Sequence, residues 1–90
     1  MLDLEFTNQF KKDLKLYKKR GKDVEKLNKV VDLILKEQPL PIKNRNHELK
    51  GDYKGHWECH IEPDWLLIYL KFKKSIVLVR TGTHSDLFKK

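Results

Sequence analysis

What the sequence has little of narrows it first. Cys59 is the only cysteine among 90 residues, so the chain holds no internal disulfide and no cysteine pair for a metal. No apolar run approaches the roughly 18 residues that a membrane-spanning helix requires. The opening stretch, MLDLEFTNQF, has no basic region leading into an apolar one, so no signal peptide is visible. There is no internal repeat, low-complexity segment or linker. These absences point to one cytoplasmic domain, residues 1–90, able to bury a single core without staples.

Acidic charge is also short. Thirteen Asp and Glu stand against twenty Lys and Arg, leaving a net charge of +7 and a sequence pI near 9.5. The excess is uneven: residues 11–20, KKDLKLYKKR, oppose six cations, Lys18 and Lys19 among them, with Asp13 alone. Lys71, Lys73 and Lys74 form a second cluster. Such a field favours nucleic acid or an acidic protein partner. Lysines by themselves also solubilise the outer side of a helix, so charge alone decides nothing.

Periodicity supplies the elements. LDLEF, residues 2–6, alternates as a half-buried strand does. Thr7 can cap a helix carrying Phe10, Leu14 and Tyr17 on one side, with Gly21 as its stop. Asp23 offers a second cap, for a helix with Val24, Leu27, Val30, Val31, Ile34 and Leu35 as its stripe, ended by Pro39 and Pro41. Residues 39–55 read as a loop. Three strands follow: HWECHIE, WLLIYLKF and SIVLVRT. The first sets Trp57, Cys59 and Ile61 on one face and His56, Glu58 and His60 on the other. Cys59 therefore reads as a buried structural thiol rather than a nucleophile. The order β-α-α-β-β-β predicts an α+β domain, its helices against one face of a mainly antiparallel sheet.

Four histidines lie in the second half: His47, His56, His60 and His84. Histidine can take and give a proton near neutrality. No metal is expected, because His56 and His60 stand about 13 Å apart along one strand and no HExxH occurs. His60 precedes the EPDW turn, which brings Asp64 and Trp65 near it. His84 follows a Thr-Gly-Thr bend and precedes Phe88 by about one helical turn. His47 sits in the loop leading into the sheet, and His56 has no comparable setting.

Three blocks then stand out: HEL-KG-KG within residues 47–55, CHIEPDWLLIY at 59–69, and RTGTHSDLF at 80–88. Together they resemble the RelE/ParE superfamily of bacterial type II toxins, and within it the YafQ-type mRNA endonucleases. The resemblance runs from the first strand to Phe88. It implies a RelE-like β-α-α-β-β-β fold with a short C-terminal helix, metal-independent cleavage of mRNA on the ribosome without a cofactor, and neutralisation by a cognate, here acidic, antitoxin. Carried over, it assigns catalytic roles to His47, His60, His84, Asp64 and Arg80, and aromatic contacts with RNA to Trp65 and Phe88.

The residue types suit that chemistry. Cleavage through the ribose 2′-OH needs a base for that hydroxyl, an acid for the departing 5′-oxygen, and a cation on the phosphate. Histidines serve the first two, Asp64 acts as partner or base, and Arg80 forks onto phosphate oxygens unless a structural salt bridge occupies it. Trp65 and Phe88 can stack on bases unless core packing claims them. Lys18 and Lys19 attract the polyanion. Two other readings compete. One is a non-catalytic RNA- or ribosome-binding module; the other is a ParE-like toxin of DNA gyrase, which needs no acid–base trio.

Overall fold

In a computed structural model, which describes residues 1–88, the elements are β1 (Asp3–Phe6), α1 (Asn8–Lys19), α2 (Val24–Leu35), β2 (His47–Glu48), β3 (Trp57–Glu62), β4 (Trp65–Lys71), β5 (Ser75–Gly82) and α3 (His84–Phe88). Thr7 starts α1, its hydroxyl accepting the Phe10 N–H at 3.0 Å. The same hydroxyl donates to the Val79 carbonyl at 2.8 Å and so ties the helix to β5. Gly21 turns the chain with φ +84°, where a side chain would be strained. Asp23 then caps α2 by accepting the Glu25 N–H at 3.0 Å.

The strands form one sheet in the order β1-β5-β4-β3-β2. Every pairing is antiparallel except β1 with β5, which is parallel. The expected order therefore holds with one addition: residues 39–55 are not all loop, because His47 and Glu48 pair with Glu58 and Trp57.

Helices α1 and α2 cover one face, where Phe10, Tyr17 and Val31 pack among Trp65, Leu67 and Ile76. The other face carries a thinner cluster of Leu66, Ile68 and Leu87, flanked by Tyr53 and Phe88. β4 is buried on both sides, as its nearly unbroken apolar run predicts. Register then aligns His47, Glu58, Ile68 and Arg80 across four strands. Cross-strand partners project to one face, so the polar members of this row share the thin side with Ile68, beside α3.

Candidate active site

On that face the alternation of β3 presents Glu58 and His60 side by side. Glu58 is almost fully buried, and one of its oxygens lies 3.5 Å from His47 Nε2 and 3.6 Å from His60 Nε2. The opposite ring nitrogens are spoken for. His47 Nδ1 donates to the Arg45 carbonyl at 2.6 Å, and His60 Nδ1 to the Pro63 carbonyl at 3.2 Å. A carbonyl only accepts, so each Nδ1 carries the hydrogen and each Nε2 faces the carboxylate.

His84 reaches the same place from α3. Its ring centroid is 5.7 Å from that of His60. Asp64, in the β3–β4 turn, accepts from His84 twice, from Nδ1 at 2.7 Å and from the backbone N–H at 3.1 Å. These two bonds hold the Asp64 carboxyl below its usual range, the side-chain bond first. The bond fixes the His84 ring through Nδ1, and Nε2 makes no hydrogen bond among the described residues. Phe88, half-buried, lies 6.4 Å from His84 and edge-on to Tyr53 at 5.8 Å.

Two of the expected site residues, Trp65 and Arg80, are engaged in structural contacts. Trp65 has no exposed surface. Its indole N–H donates to Thr81 Oγ1 at 2.9 Å and its ring stacks on Tyr17 at 6.3 Å, so it offers no face to RNA. The helices claim it because it opens the central strand on their side of the sheet. Arg80 Nε donates to Asp13 Oδ2 at 2.8 Å and Nη2 to Oδ1 at 3.3 Å, which is the weighed salt bridge. That bond holds the guanidinium above its usual pKa, and a quarter of its side chain, 26%, stays exposed. Lys18 and Lys19 are exposed on the last turn of α1 and join no side-chain hydrogen bond among the described residues.

Strand spacing, the single cysteine and the lack of HExxH all argue against a metal, yet tertiary folding builds a candidate ligand cluster across elements. Ligand atoms of Glu58, His60 and His84 lie within 4.8 Å of one another. That spacing suits three ligands of one ion. Cys59 is fully buried and its thiol is pushed up to about 12, mainly by desolvation, so it is inert.

A family model described as a bacterial toxin of type II toxin-antitoxin system, YafQ, matches residues 2–89. The chain belongs to the YafQ toxin family. It is 44% identical over 87 residues to the mRNA interferase toxin YafQ of Escherichia coli K12, covering 96% of this chain and 95% of that protein. Among solved structures, YafQ in the E. coli DinJ–YafQ complex superposes with a TM-score of 0.91 at 43% identity, over 98% of this chain and 99% of that one. A metal-bound toxin from Helicobacter pylori gives 0.93 at 47% identity, over 98% of this chain and all of that one. Glu58 and Asp13 were not singled out by the sequence, and the structure sets them against His47, His60 and Arg80. Both had a signal: Glu58 shares the polar face of HWECHIE with His60, and Asp13 lies three residues from Phe10 and four from Tyr17 on the buried side of α1.

Proposed function

We propose that this YafQ-family toxin is an endoribonuclease that cuts mRNA on the ribosome by metal-independent acid–base catalysis, and that an acidic antitoxin holds it inactive. The observation that carries the reading is the convergence of His47, His60 and His84 on two carboxylates from three separate elements. One histidine takes the 2′-OH proton, the 2′-oxygen attacks phosphorus, and the bond from phosphorus to the 5′-oxygen breaks. A second histidine protonates that 5′-oxygen, leaving a 2′,3′-cyclic phosphate and a free 5′-OH. His84, oriented by Asp64 through Nδ1, is suited to one of these transfers and His60, 5.7 Å away, to the other. His47 and Glu58 hold the far side of the cleft. Arg80 stands in the same cross-strand row, about 10 Å from Glu58, and its fixed charge suits the phosphate. Phe88 supplies a half-buried ring on which a base can stack. Relatives named as mRNA interferases, and the structure of an E. coli relative with DinJ, support the activity and the antitoxin partner.

The test is induction of the chain alone, with mapping of 5′-OH ends in ribosome-bound mRNA. Growth arrest with new ends is expected, and His84→Gln should lower the saturated rate by about two to four orders of magnitude. Arrest that survives both His60→Gln and His84→Gln would instead mean a non-catalytic block of translation.

A further inference from the structure

Helix α3 is five residues long, far too short to hold itself together, yet it carries His84. Its position is set from outside. The Tyr17 hydroxyl, buried beneath it, accepts the Thr83 N–H at 2.8 Å and donates to the Asp86 carboxylate. Arg20 Nη1 grips the same Asp86 oxygen at 3.1 Å. Within the turn, Thr83 Oγ1 accepts the Asp86 N–H at 3.1 Å and the Thr83 carbonyl accepts the Leu87 N–H at 3.0 Å. One hydroxyl thus clamps the residue before His84 and the residue two after it. Approach is close: a Cβ on Gly82 would lie 3.1 Å from the Tyr17 oxygen and 3.1 Å from Leu87 Cδ2.

The clamp belongs to neither the proton-transfer groups nor the phosphate contact. Among the described residues, His84 itself hydrogen-bonds one other side chain, Asp64, which is exposed and carried by a turn. The Tyr17 ring is itself fixed by stacking on Trp65, so the indole withdrawn from RNA backs the hydroxyl that sets α3. Resting on the catalytic role given to His84 above, we propose that Tyr17 is a positioning residue: its hydroxyl, with Asp86 and Arg20, fixes the His84 ring at the distance from His60 that proton transfer needs.

Tyr17→Phe keeps the ring and the core but removes both bonds. Saturated cleavage of ribosome-bound mRNA should fall about ten- to a hundred-fold with little change in KM, since displacement of a catalytic group by about 1 Å costs that much. The decisive measurement is a double-mutant cycle with His84→Gln. If Tyr17 acts through His84, Tyr17→Phe adds almost nothing in the His84→Gln background, and the His84 ring signals broaden in NMR spectra of the single variant. A parental rate in Tyr17→Phe, or equal losses in both backgrounds, would overturn the proposal while leaving His84 in the mechanism. A parental rate in His84→Gln would instead remove His84, and Tyr17's role with it. Should Tyr17→Phe not fold, Asp86→Ala breaks the clamp from the exposed side and enters the same cycle, with the same outcomes deciding.

Discussion

At the scale of single residues, environment decided which side chains are available for chemistry. Trp65 and Phe88 are both aromatic and both fall in motif blocks, yet one is sealed in the core and the other, at the end of α3, is half-buried against Leu66, Ile68 and Leu87. The difference is measurable. Trp65→Ala should cost about 3–5 kcal/mol in urea unfolding, because it empties a large buried site. Trp65→Phe should lower the midpoint less and leave RNA affinity of the folded protein unchanged. Phe88→Ala should act in the opposite sense, weakening RNA binding by about 1–3 kcal/mol with little loss of stability, and Phe88→Tyr should restore it. A Trp65→Phe protein that folds fully but binds RNA poorly would return the indole to the binding surface. The tail cations Lys89 and Lys90, expected to matter little, lie outside the described residues.

At the scale of elements, the β3–β4 turn and α3 are short pieces held by charged bonds to their neighbours. Glu62 accepts from Lys22 and Lys26, each at 2.9 Å, which ties the turn to the helical layer. Those two bonds depress the Glu62 carboxyl, while the Tyr17 hydroxyl and then Arg20 depress that of Asp86. Asp64 is depressed by His84. For each, the folded pKa lies below the unfolded one, so its stabilisation is complete above the ordinary carboxylate range, about pH 4, and is lost as pH falls through the lower folded value. Acidification should therefore release the turn and α3 before the sheet. Hydrogen exchange between about pH 5 and pH 3 should show amides 83–87 losing protection while β4 amides keep theirs. Simultaneous loss everywhere would mean that these carboxylates add nothing local.

The elements also show how far the sequence reading reached. Caps at Thr7 and Asp23, the turn at Pro63-Asp64 and the three long strands were legible because each is encoded within a few neighbouring residues. The two-residue β2 was not, since so short a strand has no period to detect and exists only through its pairing with β3. His47 was selected from its motif, but its meeting with Glu58 is a product of that pairing.

At the scale of the whole molecule, the +7 charge and the His cluster should separate cleanly in experiment. Changing Lys18 and Lys19 together to Ala should raise KM and flatten its dependence on salt, while the rate at saturation survives. A lost saturated rate with unchanged binding would give these lysines a part in the chemistry. A chelator should leave cleavage intact, because the proposed transfers run through imidazoles. Added Cu²⁺ or Zn²⁺ should inhibit by occupying Glu58, His60 and His84, and His60→Gln should weaken that binding, read by calorimetry. Inactivation by chelator would contradict the metal-independent route.

The sequence by itself determined the local elements, the polar and apolar faces of β3, the basic excess and the residue types of an RNA-cleaving site. Each of these depends on spacing along the chain, which helix and strand geometry convert directly into sidedness. Only the tertiary structure decided the partners. It paired Arg80 with Asp13 from 67 positions away, set Glu58 between two histidines, closed Trp65 under α1, and hung α3 on the Tyr17 hydroxyl. Those meetings follow from strand order and register, including the parallel β1–β5 edge, and register is settled by the burial of whole faces at once. Apart from Glu58 and His60, which are neighbours on β3, the partners lie far apart in the sequence and meet only through strand pairing or the docking of α1 and α3 on the sheet.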